Sequence, residues 1–242
     1  MKLTRSALAL TVGALAPALL LATPALAAGS AAAAPAKVAA VTAGESPYDT
    51  MSDAELRAEV TRILATNPGK GVTQEANKAL AGTTEDVRTF LKTGLAKAQD
   101  DDNKVAILKI LFGKPGKGVT REANAALDGT PADRIAFLAT GFAKAQDEDN
   151  MVAIGRILFA NPSTGKAVKR EANAALNGTP ADRTAFLKTG LRLAQAEDDR
   201  VDVGRILARP GISDALRAAA QKVVDGTPEE LRYFITVGQY QV

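Results

Sequence analysis

A short motif recurs four times along the chain at a nearly constant interval. It reads Gly-Thr-(Pro/Thr)-x-(Asp/Glu), and a phenylalanine follows eight residues after each glycine. The glycines are 47, 49 and 48 residues apart: Gly82, Gly129, Gly178 and Gly226. Such a period is typical of supersecondary units that stack, because one unit cannot cover its own apolar face. We therefore divide the C-terminal part of the chain into four repeats, at residues 51–99, 100–146, 147–195 and 196–242.

The first residues carry the pattern of a secretion signal. Lys2 and Arg5 precede an uncharged apolar run, Ala7–Leu21, and Ala25-Leu26-Ala27 matches a small-x-small cleavage site. The run is short for a membrane span and a cleavage site follows it. We expect a signal peptide over residues 1–27, cut after Ala27, and hence a secreted, extracellular protein without stable membrane insertion.

The segment after the signal is low in complexity. Residues 28–47 are rich in Ala, Gly, Ser and Pro and show no amphipathic period. This composition predicts a disordered tether that precedes a repeat domain at residues 48–242. Removal of residues 1–27 lowers the formal net charge from +3 to +1. Binding to nucleic acid is therefore not expected, since little net positive charge remains.

The composition also argues against catalysis. The chain contains no histidine, cysteine or tryptophan. The commonest general base and metal ligand is therefore absent, as are thiolate nucleophiles and disulfides. We expect no enzyme activity, no cofactor, no metal site and no catalytic residue.

Each repeat is expected to contain three helices. The first carries apolar residues three and four positions apart, which share one helical face. They are Val60, Ile63 and Leu64; Ile107, Ile110 and Leu111; Ile154, Ile157 and Leu158; and Val203, Ile206 and Leu207. In repeat one, Ser52 and Glu55 predict a capping box at the start of this helix.

The first helices should end at Pro-containing turns, because proline cannot continue a helix. These turns are Asn67-Pro68-Gly69, Lys114-Pro115-Gly116, Asn161-Pro162 and Arg209-Pro210-Gly211.

A short second helix and a longer third helix complete the repeat. Gly82 and its three equivalents are expected to be left-handed C-caps of the second helix. The threonine that follows, as in Thr130-Pro131-Ala132-Asp133, predicts an N-cap for the third. On that third helix the apolar stripe from Val87 to Ala98 includes Gly94. We interpret this glycine, like Gly141 and Gly190, as a site where neighbouring helices approach closely; a helix end is the rival interpretation. The pattern predicts an all-α helical-repeat solenoid.

Several of these residues resemble a known family. Ala126-Leu127, Gly129-Thr130-Pro131, Asp133, Phe137-Leu138 and Gly141 match the pattern of the ALF (alanine-leucine-phenylalanine) repeat of secreted actinobacterial proteins, and the pattern returns from Ala175 to Gly190. Repeat one departs with Thr84 in place of proline, and repeat four with Val223-Val224 and Ile235. The resemblance implies secretion and a role built on repeats, with a suggested part in signalling, and it transfers no catalytic residue.

Three recurring features resemble binding sites. Acidic runs join the repeats, at Asp100-Asp101-Asp102, Asp147-Glu148-Asp149 and Glu197-Asp198-Asp199. They invite a calcium hypothesis, but they lack the EF-hand spacing, and we favour helix N-capping of the next helix. The Lys-Gly loops at Gly69-Lys70-Gly71, Gly116-Lys117-Gly118 and Gly165-Lys166 lack the P-loop pattern and are interpreted as solvated turns. Asn77, Asn124 and Asn173 either bond between repeats or face water.

The distribution of charge suggests a surface. The basic turns and acidic runs fall at opposite ends of the first helix, so stacking would align them as a positive and a negative edge. We expect a secreted, non-enzymatic repeat protein that presents an interaction surface to an unknown protein partner. A cell-envelope or glycan-binding module is the alternative, and self-association stays open.

Overall fold

The computed structural model describes residues 46–159 and 164–242. Within these ranges the chain is helical and contains no strand, so the prediction of an all-α repeat fold is confirmed. The predicted signal peptide, most of the tether and the turn at Asn161-Pro162 lie outside the described residues. The chain divides into two compact parts, one ending at Asp102 and one beginning at Asn103.

The helices follow one another in a repeating order. They are α1 Asp53–Ala65, α2 Lys70–Ala81, α3 Thr84–Thr89, α4 Leu95–Phe112, α5 Lys117–Asp128, α6 Pro131–Ala136, α7 Phe142–Phe159, α8 Lys166–Asn177, α9 Pro180–Ala185, α10 Leu191–Leu207, α11 Asp214–Val223 and α12 Pro228–Thr236. Short 3₁₀ turns stand near the two ends of this order, at Pro47–Asp49 and Gly238–Tyr240.

The third helix of one repeat runs directly into the first helix of the next. Residues Thr84–Phe112 keep helical backbone angles throughout, as α3, one wide turn and α4. The same continuity joins α6 to α7 and α9 to α10. The three helices expected in each repeat are present, but the third is continuous with the first helix of the next repeat at these junctions. The acidic runs lie inside these long helices because no proline or glycine interrupts Leu95–Phe112.

A π-helical turn marks the Phe-Leu-x-Thr-Gly motif in the first three repeats. It spans Phe90–Gly94, Phe137–Gly141 and Phe186–Gly190, and the amide of Leu95 donates to the carbonyl of Phe90. A Cβ on Gly94 would lie 3.2 Å from the Phe90 ring, and none of its three nearest atoms belongs to another helix. The glycine thus makes room for the phenylalanine four residues before it. The predicted close approach of neighbouring helices is wrong, and the helix continues past the glycine.

The glycines after the short helices are not left-handed. Gly82, Gly129 and Gly178 have φ of −94°, −84° and −88°. A Cβ on Gly82 would come within 2.6 Å of the Asp86 carboxylate, so the absence of a side chain admits that acid. Left-handed residues occur instead in the Pro-containing turns, before the proline at Asn67 (φ 52°) and Lys114 (φ 53°) and after it at Gly211 (φ 73°).

The predicted capping boxes are confirmed. The hydroxyls of Thr83, Thr130, Thr179 and Thr227 accept from the backbone amide of the acid three residues later, whose carboxylate accepts from the threonine amide in return. Ser52 and Glu55 form the same arrangement at α1. Two otherwise unsatisfied amides are bonded at each helix start, and negative charge meets the positive end of the helix dipole.

Each part has its own apolar core. In the first, Leu56, Val60, Val87 and Phe90 are buried, and Tyr48 and Met51 pack against them. Ser46 and Pro47 belong to the 3₁₀ turn that brings Tyr48 there, so the predicted tether does not extend through Pro47.

In the second part, consecutive repeats stack as expected. Helix α7 packs on α5, α8 and α9, while α10 packs on α8, α11 and α12. Each of these long helices therefore serves two repeats. The buried residues include Ile107, Ile154, Val203, Phe137, Phe186 and Phe234.

Candidate interaction surface

One aspartate of each acidic run caps the N-terminus of the short second helix in the preceding repeat. The two carboxylate oxygens of Asp102 accept from the amides of Gly71 (2.8 Å) and Val72 (3.0 Å), in the first turn of α2. Asp149 does the same for α5, and Asp198 for α8. The predicted N-capping role is therefore correct, but the predicted helix is wrong. The capped helix belongs to the preceding repeat, about thirty residues earlier in sequence.

This contact explains the Lys-Gly loops. Gly69, Gly116 and Gly165 occupy the N-cap positions and offer no side-chain bond of their own. A Cβ on Gly116 would overlap the carboxylate of Asp149, and the other two glycines relate to Asp102 and Asp198 in the same way. The loops are thus shaped to admit an aspartate. The predicted separation into a positive and a negative edge is wrong, because acidic run and basic turn meet here.

The outermost repeats replace this contact with local ones. Glu55 stands in repeat one where Asp102 stands in repeat two, and it bonds to Ser52 of its own helix. In repeat four, Ser213 takes the glycine position and caps α11 itself, through the amide of Leu216. Both changes fit terminal repeats that have no further neighbour on one side.

The acidic runs and the recurring asparagines have other surroundings. Within the described residues no group of three or more His, Cys, Asp or Glu side chains could hold a metal ion. Glu197 pairs instead with Arg170 at 2.8 Å. Asn77, Asn124 and Asn173 are exposed. The Asn173 amide also donates to the carbonyl of Lys169 in its own helix, at 2.7 Å.

Two buried arginines were not anticipated from the sequence. Arg134 donates to the carbonyl of Gly129 at 2.8 Å, and Arg183 donates to Gly178 at the same distance. Arg183 also forms a bidentate pair with Asp147, at 2.6 and 2.7 Å, which lowers the pKa of that carboxyl. These arginines satisfy carbonyls at the ends of α5 and α8. Their position in the chain gave no signal, because Val87 and Leu231 occupy it in repeats one and four.

Two open grooves are lined by these elements. One, of about 450 Å³, lies in the first part between the end of α2 and the wide turn at Phe90–Gly94. The other, of about 540 Å³, lies between α7 and α9 and is lined by Phe142, Pro180 and Ala185 among others. Its polar side chains are mutually bonded, as Asn150 is to Thr184 at 3.1 Å.

An exposed valine and an exposed phenylalanine recur at equivalent positions of α4 and α7. Phe112 is 90% exposed and Phe159 is 86% exposed, each at the last position of its helix. Val105 and Val152 lie seven residues before them, and Lys109 and Arg156 lie three residues before, so each set shares a helical face. We call these six residues the inner-repeat face: Val105, Lys109, Phe112, Val152, Arg156 and Phe159.

The outer repeats lack this combination. Ala65 and Ala208 stand at the phenylalanine position of repeats one and four. The cations there are paired, since Arg62 contacts Glu59 and Arg205 contacts Asp202, both at 2.6 Å. Repeats two and three carry Ala106 and Ala153 where those acids stand. Lys109 and Arg156 accordingly form no salt bridge with any residue that the structure describes.

Comparison with known proteins agrees with the repeat boundaries. The family model ALF, described as short repeats of unknown function, matches residues 57–98, 104–145, 152–194 and 200–242. The intervals between these segments contain the three capping aspartates, Asp102, Asp149 and Asp198. No curated protein matches the chain. Among the described residues, no helix has the length and apolar character that a bilayer span requires. The four matches cover most of the chain, which therefore belongs to the ALF family of repeats.

Proposed function

We propose that this chain is a secreted, non-enzymatic protein that binds a protein partner through the inner-repeat face. The observation that carries the proposal is the exposure of Phe112 and Phe159 beside unpaired cations. Single exposed apolar residues are common on protein surfaces. Here the same exposed triplet of valine, cation and phenylalanine occurs in two consecutive repeats.

The chemistry of the face fits protein recognition. Aromatic side chains and arginine are enriched in protein interfaces, where a few residues supply most of the binding energy. The two phenylalanine side chains do not pack into the core, because almost all of their surface is exposed to water. Truncating them should therefore change binding without changing the fold.

The absence of catalysis is supported by what the conspicuous polar residues already do. One aspartate of each acidic run caps a helix, and Asp147 is held by Arg183. The sequence has no histidine or cysteine to activate a nucleophile. Secretion is supported by the basic, apolar and small-x-small order of residues 1–27. N-terminal sequencing of the exported chain tests this part: a mature N-terminus at Ala28 supports it, and a cell-retained chain that keeps Met1 contradicts it.

The binding proposal is tested by comparing two double variants. F112A/F159A removes the large apolar groups of the face, and I135A/L193A removes two apolar side chains that are about half exposed elsewhere in the same part. Each immobilised chain is incubated with secreted and surface proteins of the source cells. A protein retained by wild type and I135A/L193A, but lost by F112A/F159A, supports the proposal. Equal retention by all three, or retention of cell-wall polymer alone, contradicts it.

A further inference from the structure

We infer that the partner presents an acidic amphipathic segment, in which apolar side chains are flanked by carboxylates. This inference rests on the proposed function and names the chemistry of its partner. It is drawn from the charge around the two phenylalanines and from the absence of internal salt-bridge partners in the inner repeats.

The surroundings of the inner-repeat face are uniformly basic in sequence. From Asn103 to Gly118 there are four lysines and no acidic residue. Lys109, Lys114 and Lys117 are exposed. From Asn150 to Arg170 all charged residues are again basic, and Arg156 is one of them. A partner that covers Phe112 and Phe159 must therefore approach positive charge, and carboxylates are the protein groups that complement it.

The cations of the face are set apart from their counterparts. The negative end of the helix dipole favours a cation in the last turn, and all four repeats have one, at Arg62, Lys109, Arg156 and Arg205. The dipole does not explain why the acid three residues earlier is alanine only in repeats two and three. Those two repeats are also the ones with phenylalanine. The two repeats that lack the acid are thus the two that carry the exposed phenylalanine. This is expected if Lys109 and Arg156 pair with carboxylates of a partner.

A peptide-display selection tests the inference without assuming a partner. A library of random helical peptides is selected on the full wild-type chain and depleted on F112A/F159A. The expected result is enrichment of amphipathic sequences rich in Asp and Glu. Face-dependent peptides that are neutral or basic would overturn the inference while leaving the proposed function intact. Failure to obtain any face-dependent peptide would count against both.

Charge variants then test the cations with the selected peptides. K109E/R156E should weaken binding by about ten-fold or more, and K144E/K188E, which changes the net charge equally at exposed lysines elsewhere, should not. A106E/A153E restores the internal acids of the outer repeats and should also weaken binding, although both cations remain. Unchanged binding in K109E/R156E overturns the inference. Sedimentation with phosphatidylglycerol vesicles is the lipid control: loss of that binding in F112A/F159A, without any acidic peptide, would assign the face to lipid and overturn the inference.

Discussion

The carboxylate of Asp149 accepts a hydrogen bond from the amide of Gly118 at 2.8 Å, although 31 residues separate them in sequence. Asp149 lies within α7, whereas Gly118 lies in the first turn of α5. The contact ties the start of a short helix to the long helix that leads into the next repeat. It recurs at Asp102 and Asp198, so it is part of how these repeats join.

Removal of this cap should destabilise the fold measurably. D149A leaves the amides of Gly118 and Val119 without their acceptor. We expect a loss of about 1–2 kcal/mol in the free energy of unfolding, the usual cost of removing a charged N-cap. Urea unfolding followed by circular dichroism measures it. D225A, at an exposed aspartate, is the control and should be nearly neutral; equal effects of the two variants would contradict the capping role.

The glycine beside this cap should be required only while the aspartate is present. A Cβ on Gly116 would overlap Asp149 alone, and its own backbone angles (φ −66°, ψ 173°) suit alanine. G116A should therefore cost about 1 kcal/mol more in wild type than in the D149A background. A double-mutant cycle by urea unfolding gives this coupling. Additive costs would show that Gly116 is needed for another reason.

The helical faces and capping boxes were predictable from the sequence because they are local. Thr130 and Asp133 are three residues apart, and the spacing of Val87 and Phe90 defines a face without reference to the rest of the chain. Asp149 could not be assigned in this way, since an acid in a polar run gives no sign of which helix it caps. The continuous helix over Leu95–Phe112 could have been predicted from the sequence, because the segment contains no proline or glycine.

The buried and exposed phenylalanines should respond oppositely to truncation. Phe137 and Phe186 are each 5% exposed, so F137A or F186A should cost about 3–5 kcal/mol. F112A and F159A remove the same atoms from water-exposed sites and should change the free energy of unfolding by less than about 0.5 kcal/mol. Thermal melts of the four variants make the comparison. Superimposable melts of F137A and wild type would show that this ring is not part of the core.

Asp199 should destabilise the fold at neutral pH. It is buried, one oxygen contacts Arg232 at 2.9 Å, and the other has no hydrogen-bond partner among the described residues. Burial raises the pKa of this carboxyl, with Arg232 opposing the shift and the charges of Asp202 and Asp198 adding to it. A raised folded-state pKa means that the native state binds the proton more readily. The free energy of unfolding contributed by this group therefore falls as pH rises through that pKa.

D199N removes the buried charge and should raise the free energy of unfolding by about 1 kcal/mol at neutral pH. The gain should shrink as pH is lowered towards the ordinary carboxyl pKa, where wild-type Asp199 becomes neutral too. Urea unfolding across this pH range checks both statements. D225N, at an exposed aspartate, is the control. A loss of stability in D199N at neutral pH would mean that the pair with Arg232 outweighs the cost of burial.

The inner-repeat face could not be predicted from the sequence, and the reason is physical. Phe112 directly follows Leu111, so in the sequence both residues belong to the end of one apolar run. Only the helical rotation of 100° per residue separates the partly buried leucine from the ring in water. The signal that could have revealed the face is the contrast between repeats, with alanine at positions 65 and 208 and phenylalanine at 112 and 159.

Site-specific photocrosslinking tests the central claim most directly. A benzophenone side chain replaces Phe112 or Phe159 in the full chain, and Leu193 in the control, before irradiation with secreted and surface proteins of the source cells. One common protein adduct is expected from positions 112 and 159, and none from position 193. Equal adducts from all three positions, or no adduct from either phenylalanine position, would contradict a partner-binding role for the inner-repeat face.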